Sequence, residues 1–242
     1  MLELNKVYLG DCLEVMRDID NKSVDLVLID SPYGIEYKSN KQLGNTRKGY
    51  TETTRDEHYF ENIIHDDSIR PEWFSEIYRV LKDDSALYCF CSWKTYSQFE
   101  SYVELAGFKL KNMIVLNKSN HGMGDLKGSY ANKHELMIFA AKGRHILNQT
   151  TGRLNDIWNV KVKFSGSHRY HPTEKPLSWL YNPIQESSQE NDLVLDCFAG
   201  SGTTGLACQK LGRNFILIEK AQEYVEICKK RLEDNKVFGR ET

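Results

Sequence analysis

The run Val194–Gly205, VLDCFAGSGTTG, constrains this chain more than any other stretch. Apolar residues lead into Asp196. Gly200, Gly202 and Gly205 follow, and the apolar pattern of residues 203–211 is helical. A strand that ends in a tight glycine turn lets backbone N–H groups approach a ligand closely. Glu219 closes the next strand-like run, where a carboxylate can accept both hydroxyls of a ribose. The spacing satisfies G-x-G-x-x-G, the dinucleotide fingerprint. That pattern does not separate a nicotinamide nucleotide from S-adenosylmethionine, since both carry an adenosine.

The position of this unit restricts the fold further. A nicotinamide domain usually opens with it and continues into further strands. Here one strand and one helix follow, so the rest of the sheet comes from residues that precede the turn. Val7–Gly10 then becomes the next strand in space, with Asp11 at its carboxyl end. Ligands of open α/β sheets bind at those ends. Asp11, Asp30, Asp196 and Glu219 all fall there. Asp11 has two readings, a cofactor ligand or an N-cap for the helix behind it.

Strand-like and helix-like segments alternate along the chain, which predicts a largely parallel sheet with helices on both faces. Val24–Ile29, VDLVLI, suits a strand buried on both sides. Helices are predicted at Cys12–Ile19, Pro71–Leu81, Ser97–Ala106, Pro176–Ser187, Thr203–Leu211 and Glu223–Asn235. Pro183 is expected to kink or shorten the fourth of these. Further strands are predicted at Ala86–Cys91, Lys111–Leu116, Glu135–Ala140, Leu193–Cys197 and Phe215–Glu219. A polar stretch at about 36–67 reads as a long mobile loop, and residues 143–170 as irregular. The whole chain, 1–242, reads as one domain.

The six cysteines sit among apolar neighbours or in a strand, as small buried hydrophobes do, and no metal site is expected. No apolar run approaches the roughly 20 residues needed to span a bilayer. The start, MLELNKVYLGD, lacks the marks of a signal peptide, so the expected location is the cytoplasm. Net charge is −2, which by itself disfavours a nucleic-acid partner. Local basic stretches offset it: Lys38, Lys41, Arg47, Lys48 and Arg55, then Arg144, Arg153, Lys161, Lys163 and Arg169.

Asp30-Ser31-Pro32-Tyr33 ends the buried strand abruptly. This tetrapeptide suits chemistry on an aromatic amine, whose lone pair is delocalised into its ring. Methyl transfer requires that nitrogen to become more tetrahedral. Acceptors for both amine hydrogens favour this, and Asp30 and the Ser31 carbonyl can supply them. Pro32 biases Ser31 toward an extended conformation. Tyr33 offers a flat face to a base removed from the duplex.

The order Asp30-Ser31-Pro32-Tyr33 first and Asp196-Cys197-Phe198-Ala199-Gly200-Ser201-Gly202 last resembles the beta-class DNA amino-methyltransferases. The opening VYLGDCLEVM, then RVLKDDSALYCF, HELMIFAAKGR, HPTEKP and EYVEICKKRL are similar to that family as well. The resemblance implies a circularly permuted, Rossmann-like methyltransferase fold and S-adenosylmethionine as cofactor. It implies methylation of N6 of adenine, or N4 of cytosine, in double-stranded DNA. Asp30 would be the catalytic acceptor, with Ser31, Pro32 and Tyr33 around it. Asp11, Asp196, Phe198, Gly200, Gly202, Thr203 and Glu219 would bind the cofactor, with Thr173 and Lys175 near its carboxylate.

The family usually has proline where this chain has Ser31. Members acting on cytosine more often begin the motif with serine, so Asp30 favours adenine. The target-recognition segment, about 144–170, is short. That implies modest discrimination, or a second subunit such as the other half of a homodimer. An RNA amino-methyltransferase and a non-catalytic binding protein of this fold are the rival readings, with a nicotinamide oxidoreductase as the outsider.

Overall fold

The computed structural model describes residues 2–33, 68–121, 127–161 and 174–238. The predicted loop at about 36–67 lies outside the described residues. The elements in chain order are β1 (Lys6–Leu9), α1 (Cys12–Met16), β2 (Val24–Ile29), α2 (Pro71–Val80), β3 (Leu81–Cys91), α3 (Tyr96–Leu105) and β4 (Lys109–Lys118). They continue as β5 (His134–Lys142), β6 (Ile157–Val160), α4 (Ser178–Ser187), β7 (Leu193–Asp196), α5 (Thr203–Leu211), β8 (Asn214–Glu219) and α6 (Gln222–Phe238).

The strands form a single sheet in the order β1-β8-β7-β2-β3-β5-β4-β6. Neighbours run parallel except at β5, which is antiparallel to β3 and β4. The strand that opens the chain pairs with the last one, Val7 opposite Leu217. The central contact is β2 against β7, Val27 opposite Leu195. The two segments singled out in the sequence therefore leave the sheet side by side.

Strand alternation sorts the core into two layers. Val27, Ile29, Leu87, Cys89, Ile216 and Ile218 face α1, α2 and α3. Leu26, Leu28, Tyr88, Phe90, Phe215 and Leu217 face α4, α5 and α6. Each such fully buried side chain contributes about 1.5–3 kcal/mol. As expected, all six cysteines are buried and none is in a disulfide. No helix among the described residues is long and apolar enough to cross a membrane.

Two boundaries differ from the sequence reading for physical reasons. Helix α2 stops at Val80 and β3 begins at Leu81, with no loop between them. The buried Lys142 ammonium accounts for this, donating to the carbonyls of Tyr78 and Leu81 at 2.7 Å each. It supplies the partners that a helix end otherwise lacks. Residues 157–160, expected to be irregular, form edge strand β6 parallel to β4. Asn117 donates to Asn159 across this pair at 2.8 Å. Smaller shifts place the end of α1 at Met16, and α4 runs from Ser178 through Pro183.

Candidate active site

Asp11, Glu219, Asp196 and Asp30 stand at the carboxyl ends of β1, β8, β7 and β2, which are consecutive in the sheet. Their convergence follows from strand order. This edge is where an open α/β sheet binds ligands.

The glycine turn is held from below by two of these carboxylates. Asp196 accepts from the Phe198 N–H at 3.0 Å and from the Thr204 hydroxyl at 2.6 Å. Glu219 accepts from the N–H groups of Gly200 and Ala221, each at 2.8 Å. The sequence reading counts both as cofactor ligands. Asp196 is buried, and each of its oxygens accepts one bond from the turn, so it braces the turn. Glu219 is only half-buried, and each carboxylate oxygen has a second lone pair for a hydroxyl. Thr203 opens α5 and is buried at its N-terminus. The Phe198 ring meets Trp73 edge-on, with centroids 4.8 Å apart.

Asp11 takes the N-cap role. Its Oδ1 accepts from the Leu13 N–H at 3.0 Å, and its Oδ2 lies 3.6 Å from the Lys220 ammonium. A cap uses one oxygen, which leaves the other at the carboxyl end of β1 with a cation beside it.

Burial pushes the Asp196 carboxyl up from 3.8 to about 7, against the pull of Thr204 and Phe198 and with help from the charges of Asp30 and Glu219. Between those two values the native state binds more protons than the unfolded chain. Stability present at low pH is therefore lost as pH rises through this window. Asp196→Asn keeps an oxygen for Phe198 and an amide for Thr204 but does not titrate. Its unfolding free energy is expected to fall less than the wild type's between about pH 5 and about pH 8, by on the order of 2 kcal/mol. Urea unfolding at both pH values checks this; an equal fall contradicts it.

The Asp-Ser-Pro-Tyr segment follows β2. The Tyr33 hydroxyl donates to Asp30 Oδ1 at 2.7 Å, and the Lys175 ammonium donates to Asp30 Oδ2 at 2.6 Å. Lys175 also lies 3.3 Å from the Tyr33 oxygen. The Tyr33 ring packs edge-on to Phe99 at 6.4 Å. Desolvation, reinforced by Asp30, pushes the Tyr33 hydroxyl well above its usual range, so it stays neutral and donates. Ser31 is buried, its Oγ 3.9 Å from Cys89 Sγ, and Pro32 is half-buried.

One connection ties the two segments together. Arg231 of α6 donates to the Ser201 carbonyl and hydroxyl at 2.7 Å each, and to Glu174 at 2.9 Å. Glu174 is covalently next to Lys175, which holds Asp30. The glycine turn and the Asp30 loop thus share a continuous polar bridge. Sequence reasoning missed Glu174 and Arg231, although both lie in quoted segments, HPTEKP and EYVEICKKRL. Nothing in local spacing pairs an anion with a cation so far along the chain. Lys175 was expected near a cofactor carboxylate; the carboxylate it contacts belongs to Asp30.

Of the basic residues, Lys161 directly follows β6 at the catalytic edge, and its carbonyl accepts from Trp179 at 2.9 Å. Arg153 precedes β6 and lines a cavity of about 480 Å³ with Tyr88, Phe139 and Trp158, so the structure separates it from Lys161. Arg144 is exposed at the end of β5, where its N–H donates to Asp84. Lys38, Lys41, Arg47, Lys48, Arg55, Lys163, Arg169 and Thr173 lie outside the described residues.

Comparison with known proteins fits this geometry. The family model described as DNA methylase, of the N6/N4 type, matches residues 24–230. The type II methyltransferase M.HinfI of Haemophilus influenzae is 30% identical over 250 residues, covering 96% of this chain and 69% of that protein. The type II methyltransferase M2.MboI of Moraxella bovis is 29% identical over 242 residues, covering 93% and 86%. The crystal structure of the M1.HpyAVI–SAM complex superposes with a TM-score of 0.70 at 26% identity, covering 94% of this chain and 99% of that one. The observed fold is the circularly permuted, Rossmann-like methyltransferase fold that the sequence implied. By a family match across most of its length and relatives aligned over nearly all of this chain, the chain belongs to the N6/N4 DNA methylase family.

Proposed function

We propose that this protein transfers a methyl group from S-adenosylmethionine to N6 of adenine in double-stranded DNA, acting on a base flipped out of the duplex. The observation that carries this reading is the Asp30 carboxylate, fixed at the end of β2 beside the glycine turn at the end of β7. The turn fits an adenosine-bearing cofactor: a left-handed Gly202 precedes the N-terminus of α5, and Glu219 closes the next strand. When bound, that cofactor supplies a methyl on a sulfonium, which is already strongly activated.

The protein's task is therefore to position and polarise the amine. Asp30 accepts one amine hydrogen, and the Ser31 carbonyl accepts the other. Their pull localises the lone pair on nitrogen and steers it toward the methyl. As the N–C bond forms, Asp30 is placed to take the proton that the nitrogen loses. Tyr33 stacks on the base, and its bond to Asp30 couples base position to acceptor position. The basic residues about 38–48 and 161–169 contact the phosphates, and a second subunit completes the short recognition segment.

The aspartate that opens the motif favours adenine, and two neighbouring donors hold its carboxylate in place for whichever amine it meets. Expression in cells lacking DNA methylation, followed by modification-sensitive sequencing, tests the reading. N6-methyladenine within one short sequence context is expected. N4-methylcytosine would reassign the base, and methylated RNA with unmodified DNA would reassign the substrate.

A further inference from the structure

We propose that Lys175 is a positioning residue for the catalytic carboxylate: it acts through Asp30, fixing the orientation in which that side chain receives the target amine. This rests on the reading of Asp30 given above.

The geometry is closed on several sides. The Lys175 ammonium is 2.6 Å from Asp30 Oδ2, and its side chain is 11% exposed. It lies 5.1 Å from the centre of the Phe90 ring and 5.5 Å from that of Tyr33. Aromatic faces attract a cation, so the lysine has few other places to go. Its backbone is held as well. The side chain of Glu174, the preceding residue, is 2% exposed and bound to Arg231, which also grips Ser201 of the glycine turn. Lys175 is therefore carried on the part of the protein that shapes the cofactor loop, and it points at the part that binds the base.

Asp30 itself is not locked by burial, since its side chain is 26% exposed. Without neighbours it would rotate among rotamers. Tyr33 takes one lone pair on Oδ1 and Lys175 one on Oδ2, which leaves a lone pair on each oxygen for the amine. An ammonium on a carboxylate draws charge from it and does not make it a stronger acceptor. What the contact supplies is direction. A misplacement of about 1 Å at a reacting group can cost roughly 10²-fold in rate.

A role at the cofactor's carboxylate makes the opposite prediction, so the two separate cleanly. Lys175→Met, Lys175→Gln and Lys175→Arg are compared with wild type for S-adenosylmethionine affinity by calorimetry and for kcat at saturating cofactor and duplex DNA. Lys175→Met is expected to lower kcat by roughly 10- to 100-fold, with cofactor affinity nearly unchanged. Lys175→Gln, which keeps a donor, and Lys175→Arg, which keeps the charge, should each recover part of that loss. Both supply the test should the methionine variant fail to fold. A large loss of cofactor affinity with kcat retained at saturation would overturn the proposal, as would an unchanged kcat. If the wild-type protein methylates no exocyclic amine, the underlying reading of Asp30 fails. If it does and these variants match it, only the role of Lys175 fails.

Discussion

Asp30→Ala is expected to lower methyl transfer by roughly 10³-fold or more while cofactor affinity and fold persist. The size of the loss follows from what the carboxylate does. An exocyclic amine conjugated to its ring has little nucleophilicity, and alanine offers no acceptor to localise its lone pair. The selectivity of the loss follows from where Asp30 sits. It lies after β2 and outside the two buried core layers, half-exposed at the sheet edge. The cofactor turn is built from separate bonds, those of Asp196, Glu219 and Arg231. Asp30→Asn serves as the companion variant. It keeps the shape and one acceptor oxygen, and its rate should lie between wild type and alanine. Single-turnover transfer with calorimetric cofactor titration checks both. Normal turnover in Asp30→Ala would remove this residue from the chemistry.

Gly202→Val is expected to destabilise the whole protein, by about 3 kcal/mol or more. From sequence alone this glycine reads as the point where a backbone approaches the cofactor, so a larger residue would block binding. The structure supplies a different reason. Gly202 has φ of +82°, a left-handed conformation that strains a β-branched side chain most. A Cβ there would stand 2.2 Å from Cys228 Sγ and 3.2 Å from its Cβ. Cys228 is fully buried in α6, so its side chain or the helix itself must shift away from the turn. Moving α6 also disturbs Arg231 and the bridge it makes to Glu174. Cys228→Ala in the Gly202→Ala background should restore part of the loss, because it removes the sulfur but not the strain. Thermal and urea unfolding report the effect. A Gly202→Val protein that unfolds like wild type and merely binds cofactor poorly would favour the ligand-contact explanation.

The parts of the fold that were legible in the sequence are those where local chemistry is strong. Val24–Ile29, aliphatic except at Asp25, suited a doubly buried strand, and it is one. The glycine turn fixed β7, α5 and β8 to within a residue or two, because turn, helix start and strand end are all local signals. The order of the two motifs along the chain implied that β1 and β8 would be neighbours, as they are.

What remained hidden depends on contacts between distant residues. Strand β6 is short and half-exposed and carries Asn159, so it lacks an apolar run; its partner β4 makes it a strand. Lys82-Asp83-Asp84, near the start of β3, are residues that disfavour strands, and they fall where the register with β2 shifts between Val24–Leu81 and Leu26–Ala86, with Asp84 at φ +61°. The bond from Lys175 to Asp30 joins residues 145 positions apart in the chain. Charge alone could not say whether that lysine faces a cofactor, a phosphate or another side chain. Asp196 shows the same limit: its type and place marked it for the cofactor site, and the bonds to Phe198 and Thr204 that brace the turn could not be read from the sequence.

Digesting duplex DNA after incubation with the purified protein and methyl-labelled S-adenosylmethionine, then resolving the nucleosides by mass spectrometry, asks which atom accepts the methyl. The account predicts label on the exocyclic nitrogen of deoxyadenosine, lost in Asp30→Ala. Label on a ring carbon, or none on any nucleoside, would contradict it.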